Sequence, residues 1–270
     1  MIREITLGQY YQADSVVHRM DPRTKLILTF GYIVSLFLFT NVYVYVCAAV
    51  FLLVAVKACK VPFRFIVRGL RTVMVLLFVT VFFNMFLIKG EPLLTVYRFT
   101  VTREGLRMAV FTSSRLVMLI LGSSIMTLTT TPNNLTDGLE SVLKPLKLFK
   151  APVHEMAMMM SIALRFIPIL MEETDKIMKA QLARGADFES GNLIKKAKSL
   201  VPILVPLFIS AFRRANDLGM AMEARCYRGG EGRTKMKPLK YAARDYAAYI
   251  YFVIYILLIV VAGNWIPKFW

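Results

Sequence analysis

The chain has 270 residues, 57% of them hydrophobic, and carries a formal charge of +17. A soluble domain this apolar would expose large adhesive patches, and a nucleic-acid binder this basic would interleave stacking aromatics along a basic stripe, which no segment does. Three cysteines (Cys47, Cys59, Cys226) without metal-ligand spacing, and two distant histidines (His18, His154), indicate neither a disulfide framework nor a zinc site.

The apolar residues gather in long blocks, the pattern of a membrane protein. The first residues are polar and mixed in charge, and read as no cleavable signal. The block Leu26 to Val56 is longer than one span of about 20 residues and is broken at Thr40-Asn41, which predicts two helices joined by a tight turn. Asp21 suits the N-cap of the first and Pro22 its first helical position. Further spans are expected from about Thr72 to Ile88, from Leu106 to Leu128, and over "YAAYIYFVIYILLIVVAG", ending at Gly263. The expected fold is all-α: a polytopic membrane protein with about five transmembrane helices and a large cytoplasmic or interfacial helical domain. Its divisions are 1–129 for the first four spans, 130–240 for the insert and 241–270 for the last span.

Charge orients the spans. "KACKVPFRFIVRGLR" carries five basic residues and no acid, so it is expected on the cytoplasmic side. The N-terminus is then cytoplasmic and the C-terminus outside, with Trp265 and Trp270 as interface anchors.

Between about Thr130 and Lys240 lies a domain's worth of chain that reads as helices. One starts at "TTTPNN", capped by Thr or Asn with Pro132 near its start; a second runs from about Val153 to Arg184 and a third from about Asn192 to Tyr227. Each long helix passes from an apolar part ("EMAMMMSIALRFIPILM", "LVPILVPLFISAF") to a charged one ("EETDKIMKAQLARG", "RRANDLGMAMEARC"), and the apolar parts read as too short to span. Part of this surface packs core-inward, and the rest suits the membrane interface.

Both charged parts end in Ala-Arg-small: Ala183, Arg184 and Gly185, then Ala224, Arg225 and Cys226. A basic residue near a helix C-terminus is favoured by the dipole whatever its role. Two such tips, separated by roughly 50 Å of helix, suit two pockets on a wide partner rather than one catalytic centre. The small alanines permit close approach, and the arginine fork pairs bidentately with a carboxylate. Gly185 and Gly229-Gly230 are the expected helix terminators.

Two further features stand out. Met156, Met158, Met159 and Met160 either fill a core or form an adaptable docking surface for exchangeable partners. Arg115 lies about ten residues into the fourth span, where a charge needs a partner; Asn84 in the third span is the candidate, and a structural role is favoured over substrate binding.

The ordered set "HRMDPRTKL", "RLVMLILGSSIMTLTTTP", "ALRFIPIL", "ARG" and "AFRRANDLGMAMEARCYRG" covers most of the chain and closely resembles the transmembrane T component of energy-coupling factor (ECF) importers of prokaryotes. The resemblance implies that Ala183–Arg184–Gly185 and Ala224–Arg225–Cys226 dock into grooves on two ABC-type ATPase subunits, with Cys226 where the family often has Gly. It further implies a separate membrane-embedded substrate-binding (S) subunit that delivers a vitamin or other micronutrient, ATP and Mg used by the ATPases, no cofactor on this chain, and a place in the prokaryotic cell membrane. The residues agree with a non-catalytic role. There is no G-x-x-x-x-G-K-[ST] loop, "GGEGRTK" reads as a flexible turn, and no nucleophile–base pair is evident. The alternative is a membrane-embedded lipid-modifying enzyme, for which clustered His, Asp or Glu at the membrane face would be expected. A self-sufficient carrier would show polar residues across several spans or inverted repeats, and neither is seen.

Overall fold

The structure, a computed structural model, describes residues 10–38, 41–88, 90–96, 99–188, 192–230, 236 and 238–264. Eight helices account for most of them: α1 (Pro22–Leu38), α2 (Val42–Cys59), α3 (Phe63–Leu87), α4 (Arg103–Thr129), α5 (Pro132–Val142), α6 (Val153–Ala183), α7 (Leu193–Ala224) and α8 (Ala243–Asn264). A short hairpin, β1 (Pro92–Val96) with β2 (Phe99–Thr102), joins α3 to α4. The chain divides into two compact units, one formed by 10–142 with 238–264 and the other by 143–230.

Four helices are long and apolar enough to cross a membrane: α2, α4, α6 and α8. With the shorter apolar stretch Val73–Leu87, they make this an all-α polytopic membrane protein. At 17 residues α1 stands at the short end of the range for a span. Two expectations need correction. The helix α6, whose apolar part reads as too short to span, is as expected one continuous helix, of 31 residues through Pro168, and is long and apolar enough to cross a membrane, because a proline can kink a helix without ending it. The basic connection after α2 is mostly helix, since α3 begins at Phe63 directly after Pro62 and takes Arg64 and Arg71 into its own first turns. Trp265 and Trp270 lie outside the described residues.

The larger unit owns the buried cores. Tyr32 and Leu36 of α1, Val44, Ala48 and Leu52 of α2, and Tyr255, Ile259 and Ala262 of α8 form one cluster. Phe51 is its centre of aromatic stacking, 4.3 Å from the Tyr255 ring and 4.8 Å from that of Tyr251. A second cluster joins Cys59, Val61, Ile66 and Leu128 where α2, α3 and α4 meet. The short helix α5 packs on α1 and so belongs with the larger unit. A methyl at Gly138 would come within 2.9 Å of Pro22, so only glycine admits this approach.

Polar groups at the starts of α1 and α8 are tied together. Asp21 caps α1, accepting the Arg23 N–H at 2.9 Å and the Arg23 guanidinium at 2.8 Å. Burial raises its carboxyl pKa, but these bonds hold it below the usual carboxylate value. The Asp21 N–H donates to Asp245, whose other oxygen accepts from the Ala242 N–H, each at 2.8 Å. Asp245 is only 1% exposed. It is the third residue of α8 and reaches back to the residue before the helix, as the acidic half of a capping box does. Lys25, 6% exposed, donates to the carbonyls of Thr129 and His18 at 2.8 and 3.2 Å.

Replacing Asp245 with Ala leaves two buried N–H groups without acceptors and is expected to cost about 2 kcal/mol. Asp245→Asn, which keeps an acceptor, is expected to lose less. Denaturant melts in detergent test this, and equal stability of all three proteins would contradict the assignment.

Candidate functional site: two arginine-bearing helix ends

In the unit 143–230, α6 and α7 run antiparallel. Gln181 donates to the Pro202 carbonyl at 3.4 Å, Arg214 pairs with Glu173 at 3.4 Å, and Gly230 lies against the His154 ring. The partner order reverses along the two helices, so their C-terminal ends lie at opposite ends of the pair. Arg184 follows α6 directly and Arg225 follows α7. Between them runs α7, 32 residues and so roughly 48 Å if straight. The two tips therefore lie at opposite ends of the helix pair.

The two ends are closed in the same way. After α6, the Gly185 N–H bonds the Leu182 carbonyl and the Ala186 N–H reaches back to Gln181, both at 3.0 Å. After α7, the Cys226 N–H bonds Glu223 at 2.8 Å and the Tyr227 N–H reaches Met222 at 3.0 Å. Each is a Schellman closure, which satisfies carbonyls the helix itself leaves open. It requires a left-handed residue straight after the arginine: Gly185 (φ 85°) in one case and Cys226 (φ 54°) in the other. Here the sequence reading is corrected. Cys226 itself ends α7, and the left-handed Gly229 (φ 92°) lies further on. The backbone hydrogen bonds hold the cysteine in a conformation that costs an L-residue roughly 1–2 kcal/mol.

The motif residues Ala183, Arg184, Gly185, Ala224, Arg225 and Cys226 are all exposed. A methyl on Gly185 would meet nothing within 4 Å. Arg184 and Arg225 are thus exposed residues directly beyond closed helix ends. A guanidinium fork can take a carboxylate in a bidentate pair.

Of the four methionines, Met156, Met159 and Met160 are exposed at 48%, 58% and 41%, and Met158 is half-buried. Core filling at this site falls to Val153 and Ala157 instead. In the larger unit, Arg115 donates from Nε to the Tyr45 hydroxyl at 2.8 Å and lies 5.5 Å from the Phe37 ring centroid. Its partner is Tyr45 of α2 rather than Asn84, so the charge is held by a phenol and an aromatic face. Asn84 is half-buried on α3, where its backbone carbonyl lies against Gly105.

A family model described as "CbiQ: Cobalt transport protein" matches residues 13–236. Similar proteins named "Energy-coupling factor transporter transmembrane protein EcfT" include one of Clostridium kluyveri, 53% identical over 270 residues, covering 99% of this chain and 100% of that protein. One of Thermosediminibacter oceani is 53% identical over 249 residues (92% of this chain, 94% of that protein), and one of Bacillus subtilis is 48% identical over 246 residues (91% and 93%). The chain belongs to the transmembrane (T) components of energy-coupling factor transporters. The T-component family thus accounts for the polytopic helices, and the chain is a membrane subunit of an ECF transporter.

For this T component, Cys226→Gly is expected to tighten the α7 closure by about 1 kcal/mol, and Cys226→Val, β-branched at positive φ, to weaken it by more. Hydrogen exchange at the Tyr227 amide is the measurement. Faster exchange in Cys226→Gly than in the parent would contradict the left-handed assignment.

Proposed function

We propose that this chain is the non-catalytic scaffold that couples ATP hydrolysis by two ABC-type ATPase subunits to release of a vitamin or other micronutrient from a separate membrane-embedded S subunit. The observation that carries this reading is the pair of identically closed, exposed helix ends bearing Arg184 and Arg225. A single ligand site would need them together; a pair of like subunits, each with an acidic groove, needs them far apart and alike. ATP and Mg belong to those subunits, since the chain lacks a phosphate-binding loop of its own.

The surface of α6 and α7 supports a partnered role. Ile203 is buried in α7, whereas Leu204, Val205, Phe208, Ile209 and Phe212 are exposed. An apolar surface of that extent calls for lipid or another subunit. The exposed Met156, Met159 and Met160, with Met158 beside them, offer soft, adaptable contacts to S subunits that exchange. The basic residues around α2 and α3 support a cytoplasmic connection there. With α1 as the first span and α6 along the membrane interface, the reading has the N-terminus, the unit 143–230 and both arginines in the cytoplasm and the C-terminus outside, in a prokaryotic cell membrane. None of these features favours a lipid-modifying enzyme.

Arg184→Glu or Arg225→Glu is expected to abolish substrate uptake in cells that carry the complete transporter while the chain still inserts in the membrane. Removing one partner of a desolvated charge pair costs 2–5 kcal/mol or more, on the order of 30-fold or greater in affinity for an ATPase subunit. Uptake and co-purification of the ATPases read this out. Normal uptake in the double reversal would refute the docking role.

A further inference from the structure

We infer that a slot walled by α1, α2, α4 and α8 binds one anionic phospholipid, with an acyl chain in the slot and its phosphate against Lys25 and Arg244. The slot lies wholly within the larger unit and has a volume of about 250 Å³. That exceeds the roughly 150 Å³ of an apolar cavity known to hold benzene. Its walls are aliphatic and aromatic, with Leu28, Phe51 and Ile125 among them. Gly122 lets the Tyr32 ring lie flush against α4, for a methyl there would stand 2.8 Å from that ring.

The charge on this wall is of one sign. Lys25 and Arg244 are its charged residues, and no acid lines it. Lys25 is 6% exposed and meets two neutral carbonyls, with no carboxylate in ion-pair reach among the described residues. An ammonium has three protons to donate, so one remains for an anion. The nearby acids are committed elsewhere: Asp21 to Arg23, and Asp245 to two backbone N–H groups. A second polar atom is also unspent. The Tyr32 hydroxyl, on a residue 2% exposed that lines the slot, has no hydrogen-bond partner among the described residues. An ester oxygen at the top of an acyl chain would accept from it.

These groups select an amphiphile. Inorganic phosphate would satisfy the cations and leave the apolar walls bare, and a neutral hydrocarbon would leave Lys25 and Tyr32 unmet. The surrounding bilayer supplies a molecule with both parts, and basic pockets between membrane helices recognise acidic lipid headgroups by this chemistry.

The test uses the full chain in uncharged detergent, with native mass spectrometry and thermal melts in phosphatidylglycerol, in phosphatidylcholine of the same acyl chains, or in inorganic phosphate. Phosphatidylglycerol is expected to be retained one per chain and to raise the melting temperature more than phosphatidylcholine, while phosphate does little. Arg244→Gln, at an exposed position, is expected to weaken phosphatidylglycerol binding about fivefold. Ala248→Phe, which fills the slot, is expected to remove the preference while helicity is kept. Equal retention of the two lipids, full stabilisation by inorganic phosphate, or wild-type phosphatidylglycerol binding in both variants would overturn the inference.

Discussion

An α-helix cannot bond its own last carbonyls, and the way α6 and α7 meet that constraint fixes where their arginines stand. Each closes on itself through a left-handed residue one step beyond the arginine. The closure stops the backbone from fraying and leaves the guanidinium outside the hydrogen-bonded rod, on a short exposed end flanked by alanine. Because the two rods run antiparallel, the same local solution used twice produces two charges far apart. Local backbone bonding and helix length together set the geometry through which a partner could be gripped.

The two compact units meet different physical demands. The larger one has buried aromatic and aliphatic clusters and a polar junction in which each named carboxylate has assigned donors. Its stability has sources within the chain. The unit 143–230 holds its helices together with a half-exposed ion pair, worth 1 kcal/mol or less, and little buried apolar surface. The exposed apolar surface of α7 is of the kind that lipid or another subunit covers.

Much of this was legible in the sequence because it is written locally. Asp21-Pro22, Thr131-Pro132 and Gly185 are start and stop signals, and α1, α5 and the end of α6 stand where they imply. Four features were not legible, each for a physical reason. Cys226 takes a conformation that propensity assigns to glycine, since the closing hydrogen bonds override the residue's own preference. The β1–β2 hairpin sits in a mixed-charge stretch whose alternation is too short to register. The bond between Asp21 and Asp245 joins residues 224 positions apart, and no periodicity reports such a pair. Arg115 finds Tyr45 because α2 packs on α4, a choice among neighbouring helices that a single span does not reveal.

The docking of the two arginine ends on foreign subunits is most directly tested by photo-crosslinking. A benzophenone amino acid placed in turn at positions 184 and 225 of the intact transporter in membranes would be irradiated, and its adducts identified by mass spectrometry. Both positions should capture an ATP-binding subunit. Adducts confined to this chain's own helices, or to lipid, would contradict the account.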